Sequence, residues 1–451
     1  MEIISEAYGP VRKVLKRFQK KSARGRLMKY CVQERVEDGL LLFNLLTREL
    51  ILLTEEEYRD PAALDELWAR WFVVPEETNE KELVDFVRLV LGVHQTKEKH
   101  ITQYTIYTTT DCNARCFYCF QHGTAKIAMT QETAEKVTAY IQSHCGGQKV
   151  RLQWFGGEPL MNVPVIDTVC DGLRRAGVDF ESFLVTNGYL LNDELVAKAA
   201  ECWNLRGVQI TLDGTEKVYN RSKAYVYSQG SPYQVVLANI QRLLNASVEI
   251  WVRMNMDLYN AQDLLDLVDE LGTRFGGKKG IYLYASHLFR EDLPSADIHS
   301  EAGWEKREQA MICLNERIAH WGMGRKKGIR KTLPASSCKA DSGRAVTVTP
   351  DGSIGVCDHF ADSEFIGHID MPQFDPHMVA AWSETMPPIP ECTDCVHYPE
   401  CMRLKKCPEN KCFSQLRMKK LRDTRRQMAN EYEMWKNQEA SAEDEGFELD
   451  D

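Results

Sequence analysis

Val11, Val14, Leu15 and Phe18 recur at three- and four-residue spacing, so one apolar face predicts a helix over Val11–Lys21. Short apolar runs follow at Met28–Val36, Leu40–Leu46 and Leu50–Leu53, with Glu37-Asp38-Gly39 as a hairpin turn between the first two. Helical periodicity resumes around Ala62–Phe72 and Glu80–Leu91. Three small strands with helices make residues 1–93 a compact α+β module of winged-helix size. Beyond it the pattern alternates. Strands are predicted at Gln103–Thr109, Val150–Phe155, Phe180–Thr186, Gly207–Leu212, Ser247–Met256 and Gly280–Ala285, with helices such as Thr130–Ser143, Asn192–Cys202 and Ala261–Phe275 between them. Such alternation implies an α/β fold with a parallel sheet. Six units over 101–321 suit an open, partial (β/α)6 TIM barrel, with chemistry at the C-terminal strand ends. Residues 331–413 hold seven Cys with Gly and Pro but little periodicity, so that domain needs metal staples. A charged helix, 414–437, and an acidic disordered tail, 438–451, complete the chain.

Composition narrows the class. In 451 residues, no stretch of about 18 apolar residues is uninterrupted, so no membrane span is expected. Arg12, Lys13, Lys16 and Arg17 break the first apolar run, which argues against a signal peptide and for a cytoplasmic setting. The net charge is −10, and seven acids fall between Glu439 and Asp451, so the rest carries −10 + 7 = −3. That balance argues against nucleic acid as a partner. Eight bases between Arg12 and Arg26, with no acid among them, are a solvated helix face, a targeting sequence or a site for an anionic partner. Ten of the fifteen Cys fall into two groups, spacing that reads as metal ligation rather than a disulfide scaffold. Cys31, Cys145, Cys170, Cys202 and Cys313 are scattered and read as buried thiols.

The first group directly follows the first barrel strand: Cys112-Asn-Ala-Arg-Cys116-Phe-Tyr-Cys119. Three thiolates in C-x3-C-x2-C can hold three irons of a [4Fe–4S] cluster and leave the fourth open to a small chelator. The residues alone also allow zinc completed by His122. The segment resembles the radical S-adenosylmethionine (SAM) motif, with Tyr118 as the aromatic residue before the third Cys. A second match lies at the end of the next strand, where Gly156-Gly157-Glu158-Pro159 resembles that family's segment for the SAM amino group. Glycines there would let the backbone approach a ligand. The resemblance further implies that Thr186-Asn187-Gly188 and Thr211-Leu-Asp213-Gly214, at the next two strand ends, contact the SAM ribose and carboxylate through Asn187, Thr211 and Asp213. Lys223 stands where relatives often carry Arg, which leaves Arg221 as the substitute partner for the SAM carboxylate. The chemistry implied is one-electron reduction of SAM to methionine and a 5′-deoxyadenosyl radical, with flavodoxin or ferredoxin as the electron donor.

The second group, Cys338, Cys357, Cys392, Cys395, Cys401, Cys407 and Cys412, resembles the SPASM extension of radical SAM enzymes, which carries two auxiliary [4Fe–4S] clusters. It departs from the family in having five residues before Cys407 where three are usual. Zinc is the alternative for such a field. The family's interleaving implies one closed cluster on Cys392, Cys395, Cys401 and Cys412, and a second on Cys338, Cys357 and Cys407 that lacks a fourth Cys ligand. Its last iron is then open or held by a group such as Asp341 or His359. Asp358 occupies the place where sulfatase-maturing relatives take a substrate proton, and a structural carboxylate is the alternative. The front module resembles the peptide-binding winged-helix domain, the RiPP recognition element, of peptide maturases; a DNA-binding winged helix is the alternative. The reading is a radical SAM maturase, of the sactipeptide or ranthipeptide type, that binds a precursor peptide's leader at 1–93 and installs a Cys thioether. It implies SAM and three [4Fe–4S] clusters. Carbon–carbon cross-linking, formylglycine formation and a non-catalytic iron–sulfur or zinc scaffold remain open. Because the SAM motifs all lie beyond residue 93, the front module is expected to be separable.

Overall fold

The computed structural model describes residues 1–18, 24–60, 64–95, 100–226, 230–288, 301–360, 363–371, 373–407 and 412–445. The chain divides into two compact units. One comprises Met1–Glu98, Lys326–Ser337 and Glu384–Asp451; the other comprises Lys99–Arg325 and Cys338–Ser383.

The first unit is built on an antiparallel sheet of β1 (Glu2–Ser5), β3 (Cys31–Val36), β4 (Gly39–Asn44) and β5 (Glu49–Leu53) in the order β1-β5-β4-β3, while β2 (Gly25–Leu27) pairs with β6 (Val73–Pro75). The continuous apolar runs of β4 and β5 are explained by burial on both faces. Leu42, Ile51 and Leu53 pack with Leu67, Trp68 and Phe72. Leu41, Phe43, Leu50 and Leu52 share a core with Val11, Leu15, Val84, Val87, Leu333, Tyr398, Met428 and Tyr432. The front module does not close its own core, because Leu333, Tyr398 and the helix Ser414–Glu445 complete it. The stretch 331–413, read as one domain, is divided between the two units. The C-terminal helix also runs on to Glu445, through the beginning of the stretch read as disordered; residues 446–451 of that tail lie outside the described residues. The first helix ends early, at Leu15, and Phe18 is exposed.

The second unit holds six parallel strands: β7 (Gln103–Thr109), β8 (Val150–Gly156), β9 (Phe180–Thr186), β10 (Leu205–Thr211), β11 (Glu249–Met256) and β12 (Ile281–His287). Their boundaries lie within about two residues of the sequence pattern, as expected when period-2 burial dominates. In β9, Phe180, Ser182, Leu184 and Thr186 are buried, while Glu181, Phe183 and Val185 alternate with them half-buried. Past β7 the sheet continues through β13 (Ala345–Val348), parallel to β7, then β14 (Ser353–Gly355) and β15 (Gly367–His368). This gives a mostly parallel α/β sheet that fits a partial TIM barrel. The Cys338–Ser383 segment joins it because β13 finds the free edge of β7. No described helix is long and apolar enough to cross a membrane.

Candidate active site at the strand ends

The loop after β7 carries Cys112, Cys116 and Cys119. Its root is fixed by side chains that cap the backbone: Asp111 N–H donates to Thr109 Oγ1 at 3.0 Å, and Cys112 N–H donates to Asp111 Oδ1 at 2.8 Å. Its middle is tied to the end of helix Glu216–Lys223, where Arg115 N–H donates to the Lys223 carbonyl at 2.9 Å. Burial pushes Cys112 up to about 12, with Glu158, Cys116 and Cys119 adding to it against the Ala114 N–H. Burial also raises Cys116, against the pull of the Lys223 ammonium. Cys112 and Cys116, held in the thiol form chiefly by burial, belong to a donor set that a cationic iron group would relieve. Beside them the Asn113 Nδ2 group is buried without a hydrogen-bond partner, although Asn113 Oδ1 accepts from Asn187 Nδ2 at 2.6 Å. Thiol set and orphaned donor both fit a cluster with a polar chelating ligand. Among the described residues no three His, Cys, Asp or Glu side chains are already drawn to metal-binding geometry, and His122 is exposed.

The glycines of the second segment act on the protein itself. A Cβ at Gly156 would lie 2.1 Å from the Thr109 carbonyl oxygen, and one at Gly157 would lie 2.1 Å from that of Asp111. Gly157 N–H and Glu158 N–H donate to these same two carbonyls at 2.9 Å. The two glycines thus let the root of the thiol loop approach the end of β8. Gly156 also has φ +127°, a conformation open to glycine. Glu158 is fully buried and accepts from Leu160 N–H, Thr186 Oγ1 and Asn187 N–H at 3.1, 2.7 and 2.9 Å. Burial outweighs these donors and raises it to about 7. Its side chain thus joins the ends of β8 and β9. Pro159 is buried and opens the short turn Pro159–Asn162.

Asp213 is engaged with neighbouring strand and loop groups. It is fully buried, accepts from Tyr118 OH and from Asn255 N–H (2.9 Å), and pairs with Lys223 Nζ at 3.0 Å. Lys223 Nζ also donates to Tyr118 OH at 2.6 Å. Burial works against the Lys223 ammonium, but Asp213, Tyr118 and Cys116 outweigh it and hold the group well above its ordinary value. Tyr118 is raised by burial and by Asp213. Lys223 is thus held by Asp213 and Tyr118, while Arg221 is exposed. Thr211 is half-buried at the end of β10.

Two further thiol groups exist. Cys392, Cys395, Cys401 and Cys412 line one cavity of about 380 Å³ in the first unit. Burial raises Cys395, and Cys401, Cys412 and Cys392 all contribute. In the second unit, Cys357 is raised by burial, with Asp358 and Cys338 adding to it. Cys338 and Cys357 belong to the second unit and Cys407 to the first. Asp358 Oδ1 accepts from Thr347 Oγ1 at 2.7 Å, and Oδ2 pairs with Lys339 Nζ at 2.5 Å. Phe120 stacks on His359 at 5.9 Å and Phe155 at 6.4 Å, which joins the first thiol loop to the Cys357–His359 turn. Pattern reading missed Asn113, Lys339 and Thr347. The first two sit beside motif Cys residues, which was their only signal.

Residues 106–271 match the family model described as the radical SAM superfamily. The chain carries a radical SAM domain. It is on that ground an enzyme of the radical SAM class. The chain is 26% identical over 176 residues to a GTP 3′,8-cyclase of Clostridium perfringens, covering 38% of this chain and 52% of that protein. It is 30% identical over 188 residues to a probable GTP 3′,8-cyclase of Pyrococcus abyssi, covering 40% and 54%. The chain thus spans about half the length of these curated relatives. Among solved structures it is similar to native anSMEcpe with bound AdoMet and Cp18Cys peptide, at 16% identity and TM-score 0.54, over 75% of this chain and 99% of that one. Native anSMEcpe with bound AdoMet alone gives TM-score 0.54 at 16% identity, over 74% and 99%. These likenesses are of fold. The radical SAM domain contains the first thiol loop and the three further strand-end segments, so SAM and one [4Fe–4S] cluster are its cofactors.

Proposed function

We propose that the chain is a peptide maturase. It binds the leader of a ribosomally made precursor in its first unit and installs a radical cross-link, a Cys thioether to carbon, in the core peptide. The observation that carries this reading is the pair Cys338 and Cys357, standing beside Asp358 and joined through Phe120 to the SAM-cluster loop. The fold likeness to a protein solved with a peptide supports a peptide substrate.

In this reading Cys112, Cys116 and Cys119 hold the SAM cluster; Cys392, Cys395, Cys401 and Cys412 hold a closed auxiliary cluster; and Cys338 and Cys357 hold a third. When bound, the SAM cluster and SAM would supply the one-electron chemistry that abstracts a substrate hydrogen, and the cluster held by Cys338 and Cys357 would take up the electron released as the C–S bond forms. The protein's own work is positional. The buried Tyr118–Asp213–Lys223 set fixes the loop and keeps an ammonium beside Cys116. Asn113 and Asn187 present amide groups at the mouth. Phe117 and Phe120 present apolar surface that excludes water from the reacting centre. Asp358 receives the thiol proton, with Lys339 and Thr347 holding the carboxylate in place. We place the enzyme in a reducing cytoplasm, where its fifteen Cys stay available as thiols, served by flavodoxin or ferredoxin.

The test is anaerobic reconstitution, with about 12 Fe expected per chain for three clusters. Dithionite and SAM should then give 5′-deoxyadenosine. A precursor peptide encoded beside the gene should lose two hydrogens at a joined pair of residues. Stoichiometric zinc with little iron refutes the reading. A product with an aldehyde in place of a Cys thiol or Ser hydroxyl selects the formylglycine alternative.

A further inference from the structure

The four-thiol cavity has walls that no Cys motif describes. Lys81, Asp85 and Arg88, all from the helix Glu80–Gln95, line it with Cys392, Cys395, Cys401 and Cys412. Arg88 is wrapped by the thiol loop: its guanidinium donates to the carbonyls of Tyr398, of Pro399 (3.2 Å) and of Cys401 (2.8 Å). It also lies 4.7 Å from the centre of the Tyr398 ring. Tyr398 OH returns a hydrogen bond to Asp85 at 2.6 Å, and Lys81 Nζ holds the other Asp85 oxygen at 2.7 Å. A second front segment reaches the loop, where Lys29 Nζ donates to the Thr393 carbonyl at 2.5 Å. Tyr398 itself is in the core shared with Tyr30, Val84 and Val87.

Charge agrees with geometry. A [4Fe–4S] group on four thiolates is an anion, and around this cavity the cations Lys81, Arg88, Arg403 and Arg417 outnumber the acids Asp85 and Glu391. Arg417 Nη1 already donates to Cys412 Sγ at 3.6 Å. Cations and N–H donors around thiolate sulfur are the outer groups that orient and retain a cluster.

We propose that the helix Glu80–Gln95 is a working wall of this iron–sulfur site, with Arg88 as its positioning residue. Loading the group and ordering the front unit are then one linked equilibrium. The proposal rests on the reading above that these four thiols hold a cluster. Three carbonyls of the Tyr398–Cys401 turn converge on one guanidinium, so the turn keeps its shape only while the helix is docked. Conversely, a loaded loop fixes Tyr398 and hence the helix face that shares a core with β3–β5. Linkage requires the effect to be reciprocal.

The experiment uses the full-length chain, reconstituted anaerobically. Iron content is read first, then amide hydrogen exchange by mass spectrometry, for the wild type, a Cys392→Ser/Cys395→Ser variant, Arg88→Ala and Arg88→Lys. The thiol variant should lose about a third of the iron. Its amides over residues 80–95 should exchange at least about tenfold faster, while β8–β11 stay unchanged. Arg88→Ala should release iron to a chelator several-fold faster than wild type. Arg88→Lys, which keeps the charge but loses the fork, should fall between them. If iron is lost and exchange over 80–95 is unchanged, the linkage is overturned and the four-thiol cluster stands. If no iron is lost from the thiol variant, the cluster reading falls and the linkage with it. If Arg88→Ala frees β3–β5 wholesale while the thiol variant leaves 80–95 protected, Arg88 serves folding alone and the proposal is overturned.

Discussion

Replacing Lys223 by Met removes the cation from a set whose other charge, on Asp213, has no exposure at all. At 3.0 Å and an effective dielectric near 20, the attraction between the two groups is about 5 kcal/mol. Taking each ion out of water costs several kcal/mol, so the pair as a whole contributes little over an apolar pair of the same shape. The single substitution is different. It leaves Asp213 charged and buried, with Tyr118 OH and Asn255 N–H as its remaining donors, and should cost about 3–5 kcal/mol. Asp213→Asn alone strands the ammonium and should cost a similar amount. The double variant should cost less than the sum, with a coupling of about 2–3 kcal/mol. Global unfolding of a chain with two units and bound clusters is not two-state. The measurement is therefore native-state hydrogen exchange at the amides of β10 and β11, which flank Asp213. Single-variant costs that add to within about 0.5 kcal/mol refute the coupled buried pair. So does a cost below about 1 kcal/mol for Lys223→Met, the range of an exposed ion pair.

Gly157→Ala should destabilise the second unit by more than about 2 kcal/mol and abolish iron binding at Cys112, Cys116 and Cys119, since its Cβ meets the Asp111 backbone oxygen, which cannot move aside as a side chain would; normal iron content refutes this. For Glu158 the folded value is raised to about 7 from 4.5, so its contribution to stability is full below about pH 4.5 and is lost as pH rises to about 7, a change on the order of 3 kcal/mol. Glu158→Gln should flatten that part of the stability–pH curve, and superimposable slopes refute it. Deleting residues 1–93 should expose the face of the helix Ser414–Glu445 that carries Met428 and Tyr432 and should cost the iron of the four-thiol site, because the deletion takes away Arg88 and much of the shared core; a truncated chain that is monodisperse with full iron content refutes this.

The six barrel strands were legible because each is a short apolar run whose alternate residues lie under helices, a purely local signal. The front hairpin was legible for the same reason. Strand β1 was not: Glu2–Ser5 is four residues long, and its partner β5 lies far along the chain, so the pairing leaves no local trace. The thiol loop was legible as a set of ligands because close spacing along a loop forces closeness in space. The longer-range groupings were not, since nothing between Cys357 and Cys407 says that they fall in different units.

By itself the amino-acid sequence determined the class of chemistry. The C-x3-C-x2-C loop and the Gly-Gly-Glu-Pro turn are contiguous, and their residue types carry the chemistry wherever the chain places them. The tertiary structure alone decided what each polar group is free to do. Residue type alone does not say which groups Glu158 and Asp213 pair with. In three dimensions burial obliges them to be satisfied within the protein, by strand ends in one case and by Tyr118 and Lys223 in the other. The structure alone also decided that the front module and the C-terminal helix share one core. A core is a matter of which apolar faces meet, and a sequence states the faces without stating their partners.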